Sequence, residues 1–325
     1  MTSSNSQKTL NPEQNPLFLS ARNYRIFLIL LFCAILGYLG LTFWIGWEEM
    51  RQAIIKIDVS GLLIALSLTL LSLSIRFARW QWYLYILNIH VHWFSSLRIY
   101  IGGLALTATP GKAGELIRSI FLKRYHVNYT KSFAIFFSDR FTDLVAVLLL
   151  AAIGIWANEA ARPVAIFLVI AVITVLFMIR YPQIYTRFTE VLAPLLPGQK
   201  LAELLCRSAN IIDHCRELFQ WPVFLGCITL SALAWTLEAV NLFMIVILLG
   251  AEIGFATILF IYAFSKLVGA ISMIPGGLGS TEATLIALLI INNVDETTAI
   301  SCAIFLRLTT FWFVCSLGAL AMPRR

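Results

Sequence analysis

The stretch Pro275-Gly276-Gly277-Leu278-Gly279-Ser280-Thr281-Glu282 lies inside apolar sequence, with residues 253–274 before it and 283–291 after it. Four of its first five residues oppose an α-helix, proline because it lacks the N–H and glycine because fixing it there is entropically costly. A helix broken inside a bilayer frees backbone N–H and C=O groups. Such a break persists only where protein or a water-filled cavity satisfies them. The stretch therefore predicts a cavity, and the rest of the chain is readable as its walls.

A bilayer is the setting that composition demands. The 325 residues are 60% hydrophobic and 13% charged, with mean hydropathy +0.85. Soluble domains carry about 25% charge and 45–50% apolar residues. The long apolar runs indicate helices, and no ten-residue alternation suggests an outer-membrane barrel. The net charge of +7 comes from Lys and Arg at the ends of apolar segments, as the positive-inside rule requires. That pattern argues against nucleic acid as a partner. Cys33, Cys206, Cys215, Cys227, Cys302 and Cys315 show no metal-site spacing, and His90-x-His92 stands alone at a boundary, so neither metal nor cofactor is expected.

In chain order, residues 1–25 read as a polar cytoplasmic tail without a secretory signal. A single membrane domain then occupies 26–325. Residues 26–47 make a first span of about 20 residues, followed by Glu48 and Glu49. Residues 61–87 return inward and end in Arg76, Arg79, Trp80, Trp82 and Tyr83, an interfacial mixture read as snorkelling and belt anchoring. Residues 97–108 are too short to span and stop at Thr109-Pro110-Gly111-Lys112-Ala113-Gly114-Glu115. With the short segment before Lys123-Arg124 they read as a re-entrant hairpin opening to the cytoplasm. Residues 132–157 span outward and 163–179 span back. Residues 180–221 form a basic cytoplasmic loop whose Leu201, Leu204, Leu205, Ala209 and Ile212 suggest a surface helix. Residues 222–249 span outward, and 253–291 form a second broken hairpin. The loop 292–298, with Asp295 and Glu296, faces outside, and 299–321 returns. The expected fold is an all-α integral membrane protein with about six spans, two re-entrant hairpins and both termini in the cytoplasm.

The two breaks match. Pro110-Gly111-x-x-Gly114-Glu115 parallels Pro275-Gly276-x-x-Gly279 with Glu282 beyond it. Arg140-Phe141-Thr142 follows Pro110 by thirty residues, and Arg307-Leu308-Thr309 follows Pro275 by thirty-two. The halves 61–157 and 222–321 enter from opposite sides, which is the inverted-repeat pattern of secondary transporters. Pro110, Gly111, Gly114, Pro275, Gly276, Gly277 and Gly279 would be the breaks and hinges.

Lys112, Glu115, Asp139, Arg140, Asp143, Glu238, Lys266, Glu282 and Arg307 fall within apolar segments, and Arg118 stands at the mouth of the first hairpin. A charge near the bilayer centre costs at least about 2.5–3.5 kcal/mol, so these residues must face one another or water. One reading is that Arg140 neutralises Asp139 and Asp143 and joins helices. The other is that Arg140 and Arg307 line a polar path. Helices restarting after each break point free N–H groups and a positive dipole end inward, which suits a phosphate or carboxylate. Glu115 and Glu282 oppose this in part: acids in a first helical turn are ordinary caps that fill the site themselves, or else they are proton carriers, since carboxylates at membrane depth titrate nearer neutrality.

Thr109-Pro110-Gly111-Lys112-x-Gly114-Glu115-x-x-Arg118, Asp139-Arg140-x-x-Asp143 and Pro275-Gly276-Gly277-x-Gly279-x-x-Glu282-Ala283 resemble the lysylphosphatidylglycerol synthase transmembrane, or flippase-like, domain family. The resemblance covers roughly 26–321. It implies a lipid-handling membrane domain, since members include the membrane half of aminoacyl-phosphatidylglycerol synthases. Others stand alone and are implicated in hopanoid or glycosyl-carrier lipid biology. With no aminoacyltransferase domain before the end at Arg325, synthase activity is not carried over, and the chain is expected to be a transporter rather than an enzyme. The leading expectation is a flippase moving an anionic-headed lipid, phospho- or polyprenyl-linked, between leaflets of a bacterial inner membrane. The alternatives are a membrane transferase acting on a lipid carrier, with Asp139 and Asp143 as general-base candidates, or an accessory subunit. The partners expected are a membrane lipid and, among proteins, a homo-oligomer or a separate lipid-modifying enzyme.

Overall fold

A computed structural model of the chain describes residues 21–107, 115–155, 162–181 and 214–322. Its elements are α1 (Ala21–Ile86), α2 (Trp93–Leu104), α3 (Ile117–Leu122), α4 (Tyr129–Ile155), α5 (Arg162–Arg180), α6 (Trp221–Leu248), α7 (Phe255–Ile271), α8 (Ser280–Ile291), α9 (Glu296–Arg307), a π turn (Leu308–Trp312) and α10 (Phe313–Ala321). No strand occurs among the described residues, so the all-α expectation holds. Among them, Ile55–Ile86, Trp221–Leu248 and Glu296–Ala321 are long and apolar enough to cross a membrane, whereas α7 and α8 are shorter apolar helices. Helix α4 has 27 residues but carries Asp139, Arg140 and Asp143 in its middle. Leu63, Ile64, Leu71, Phe167, Ile170, Leu225 and Ile291 are exposed. A water-facing surface would seldom carry so many large apolar side chains, but lipid accepts them.

One boundary differs from expectation. The connection anticipated between residues 47 and 61 is helical, and α1 runs through it. Residues 48–57 contain neither Pro nor Gly, so nothing local ends the helix. A left-handed residue, Asp58 (φ 54°), interrupts α1 instead. Its carboxylate accepts the Val59 N–H at 2.6 Å, a local bond that makes this conformation tolerable for aspartate. Residues 108–114, the core of the first break, and 182–213, which include the expected surface helix, lie outside the described residues.

Helices α1 and α6 are joined by a ladder of polar contacts. Asn241 donates to the Ala65 carbonyl at 3.2 Å and to Thr69 Oγ1 at 3.3 Å. Ser72 donates to the Ala234 carbonyl at 3.0 Å, Arg76 donates to Glu238, and Arg79 donates to Ser231. Rising numbers on α1 meet falling numbers on α6, so the two helices are antiparallel.

The remaining packing exchanges elements between the two halves. Helix α4 packs on α6 and α7, while α10 packs on α2, and α9 and the π turn pack on α1. One hydrophobic core joins α4 to α6–α9, with Phe141, Val147, Leu242, Ile261 and Leu289 among its members. The other joins the inner part of α1 and α2 and α3 to the α10 region, with Trp80, Tyr100, Leu122 and Cys315. At the far end Asp295 caps α9, accepting the Thr298 N–H at 2.7 Å. Those hydrogen bonds hold its carboxyl below the usual carboxylate range.

Candidate functional site

The second break is closed from within. Gly276, Gly277 and Gly279 take φ values of 62°, 63° and 85°, a region that costs a β-carbon-bearing residue strain. A Cβ on Gly277 would lie 2.7 Å from Thr281 Oγ1, and one on Gly269 would lie 2.1 Å from the same atom. The end of α7 thus packs directly on the start of α8. The freed backbone groups find partners, as the sequence argument required. The Gly277 N–H donates to the Ile274 carbonyl at 2.8 Å and the Leu278 N–H to Pro275 at 3.2 Å. The Gly279 N–H donates to Glu282 at 2.9 Å. Arg307 then clamps the turn, donating from Nε and Nη2 to the two Glu282 oxygens at 2.6 and 3.1 Å and to the Gly277 carbonyl at 3.0 Å. The Glu282 carboxylate thus caps the start of α8, one of the two roles read from the sequence.

The first half repeats this pairing more loosely. Glu115, from the end of the first break, lies 3.5 Å from Arg140 on the following helix and 3.2 Å from Arg118. Thr107 donates to its other oxygen at 3.0 Å. Arg140 also meets Asp139 at 2.5 Å and Asp143 at 3.5 Å. Lys112, Pro110, Gly111 and Gly114 fall outside the described residues.

The partner that sequence reasoning missed is Arg79. Its side chain is fully buried and bridges Asp139 at 2.5 Å and Asp143 at 2.7 Å, the i,i+4 acids on one face of α4. Trp235 donates to Asp143 at 3.2 Å. Trp80 and Tyr83 are buried too, so the belt reading is corrected for Arg79, Trp80 and Tyr83. Arg76 is largely buried and pairs with Glu238. The signal was present as a stripe: Thr69, Ser72, Arg76 and Arg79 recur at helical spacing on an otherwise apolar segment. In lipid such a polar stripe turns inward.

These groups surround a cavity of about 450 Å³. Arg76, Glu115, Arg140, Asp143, Glu238, Lys266 and Arg307 line it, together with Gly276 and Gly277 of the second break. Arg118, Asp139 and Glu282 are not among the lining residues and buttress those that are. Apolar side chains line it as well, among them Leu73, Leu144, Val147, Leu267, Met273, Ile274 and Phe311. Counting the buttressing groups, Arg76, Arg79, Arg118, Arg140, Lys266 and Arg307 stand against Glu115, Asp139, Asp143, Glu238 and Glu282, one positive charge in excess. No group of three His, Cys, Asp or Glu side chains able to hold a metal occurs among the described residues. Helices α1 and α6 both supply polar residues of the lining, and its cations come from α1, α4, α7 and α9.

The family model for the lysylphosphatidylglycerol synthase TM region matches residues 26–318, and the chain belongs to that family. A UPF0104 membrane protein of Methanothermobacter thermautotrophicus is 25% identical over 306 residues, 88% of this chain and 90% of its own length. One from Pyrococcus horikoshii is 25% identical over 306 residues, covering 86% and 91%. A third, from Methanocaldococcus jannaschii, is 27% identical over 217 residues, covering 65% and 89%. All three are archaeal membrane proteins. No solved structure matches the chain.

Proposed function

We propose that this protein moves an amphipathic lipid with an anionic head group between the two leaflets of a cytoplasmic membrane. The observation that carries the reading is the cavity. Its lining combines charged groups, with cations in excess, and apolar side chains, and a lipid's head and chains need both. Helix packing alone would need no cavity of this volume.

The exchange of elements between halves supports a mechanism. Under the correspondence of α1 with α6, α2 with α7, α3 with α8, and α4 with α9–α10, each of these packing contacts has its swapped counterpart, and α1 packs antiparallel on α6. Two hairpins of opposite orientation, re-entrant from the two faces, would produce that pattern. Rocking of one half against the other would then expose the cavity to each leaflet in turn. Glu115–Arg140 and Glu282–Arg307 would be the clamps that tie each break to the helix behind it.

Transfer chemistry is less well served. Asp139 and Asp143, the general-base candidates, are both held by Arg79. The test is leaflet exchange of labelled phosphatidylglycerol, phosphatidylethanolamine and polyprenyl phosphate in liposomes holding the purified chain. Faster exchange than in protein-free liposomes is expected for at least one anionic lipid. No acceleration with any of them would sink the proposal, and turnover of a labelled sugar or aminoacyl donor would replace it with a transferase.

A further inference from the structure

We infer that Arg76 and Lys266, gathered around Trp235, form the seat for a lipid phosphodiester, with Glu238 as its exchangeable counter-ion. The inference rests on the reading of the cavity as a lipid site and names the groups that hold the head. Arg76 Cζ lies 4.0 Å from the Trp235 ring centroid. Lys266 Nζ lies 5.8 Å from that ring and 5.0 Å from Tyr262. Arg76, Trp235, Glu238 and Lys266 all line the cavity.

The other arginines are committed elsewhere. Arg79 spends both terminal nitrogens on Asp139, Asp143 and Ser231. Arg307 spends its fork on Glu282 and the Gly277 carbonyl. Arg140 Nη2 lies among three carboxylates. Arg76 instead meets a single carboxylate, giving Nη2 to Glu238, and its buried Nε, like those of Arg79, Arg118 and Arg140, has no hydrogen-bond partner among the described residues. A guanidinium with Nε and one terminal nitrogen turned to the same side is the fork that grips two phosphate oxygens.

Glu238 is built to release it. Tyr262 donates to one Glu238 oxygen, and Ser72 Oγ, which shares its one proton between the Ala234 carbonyl and this carboxylate, lies 3.3 Å from the other. The carboxylate therefore keeps partners when Arg76 turns to a ligand. Leu144, Val147, Leu267 and Met273 of the cavity lining would take the beginnings of the acyl chains.

The test is binding rather than transport. Native mass spectrometry of the full chain in detergent is run with dioctanoyl phosphatidylglycerol, dioctanoyl phosphatidylcholine, glycerol phosphate and inorganic phosphate. Phosphatidylglycerol is expected to bind more tightly than the other three. Arg76→Gln should weaken it at least about tenfold, the worth of a lost charge-assisted hydrogen bond. Arg76→Lys, which keeps the charge without the fork, should fall between. Glu238→Gln should bind several-fold more tightly than the unaltered chain.

Opposite signs for Arg76→Gln and Glu238→Gln are the signature of exchange. If both weaken binding equally, the pair is structural and the inference fails. Inorganic phosphate binding as tightly as the lipid would also overturn it. A chain that binds phosphatidylglycerol in this way yet exchanges no lipid sinks the transport reading alone. Unchanged binding in Arg76→Gln, with leaflet exchange intact, sinks the seat alone.

Discussion

Arg79 and Arg307 sit on opposite halves of the chain, yet each is buried and each is neutralised by carboxylates from another helix. Removing one partner of a buried pair strands the other charge, at a cost of about 3–5 kcal/mol. Arg307→Ala should therefore destabilise the protein by about that much, read as unfolding in detergent. Glu282→Gln should cost less, because the amide oxygen still accepts the Gly279 N–H and one Arg307 donor. A loss for Arg307→Ala no larger than for Glu282→Gln would show that the clamp is not what holds the break. Sequence made the acids and arginines of both halves visible as unusual, since nine charges in lipid demand partners. It did not say which partners. Asp139-Arg140-Asp143 looked self-sufficient within one helical turn, and only folding brings Arg79 across from α1 to take both acids. Arg79 was misread because aromatic and basic residues near the end of an apolar segment also describe a membrane interface. The stripe of Thr69, Ser72, Arg76 and Arg79 separates the two cases, since belt residues need not share a face.

At the scale of elements, close backbone approach sets the packing, and glycine marks it. A Cβ on Gly318 would lie 2.3 Å from the Ala105 backbone nitrogen and 2.8 Å from the Ile101 carbonyl oxygen, where α10 crosses α2. Backbone cannot rotate away as a side-chain tip can. Gly318→Ala should cost about 1–3 kcal/mol through overpacking. Gly40, inside α1, has nothing within 4 Å of its added Cβ, so Gly40→Ala should stabilise by roughly 0.5–1 kcal/mol through helix propensity. Both substitutions add one methyl to an apolar helix, and hydrophobicity alone predicts the same sign for each. Thermal unfolding in detergent decides, and a stabilising Gly318→Ala would contradict the α2–α10 contact. Most helices were legible to within a few residues, because breakers or charges bound them, as Pro222 does at the start of α6, Pro275 after α7 and Asp295-Glu296 at the start of α9. The exception is the run from residue 48 to 60. Its acids suggested an outer loop, but a segment without helix breakers stays helical until Asp58 turns the backbone left-handed.

For the whole molecule, the order of elements and the second break were readable from sequence, but the exchange by which α4 packs on α6 and α7 and α10 packs on α2 was not. Local pattern cannot reveal which of two similar hairpins a long helix will cover. That exchange matters because it locks the halves around one shared cavity rather than giving each its own. It also makes opposed orientation testable. If the halves are inverted, the turn after α3 and the turn after α8 must lie on opposite faces of the membrane, although they occupy equivalent places in their halves. Lys123 and Glu296 are exposed at those turns. In a chain whose own cysteines are replaced, Glu296→Cys should react with a membrane-impermeant maleimide in intact cells, and Lys123→Cys only after the membrane is opened. Charge supports that sense, since Lys123 and Arg124 follow α3 and no Lys or Arg lies between residues 292 and 298. Labelling of both positions from the same side would exclude an inverted repeat. The two breaks would then open to one face, and the cavity between them would be a pocket with a single entrance rather than a route across the bilayer.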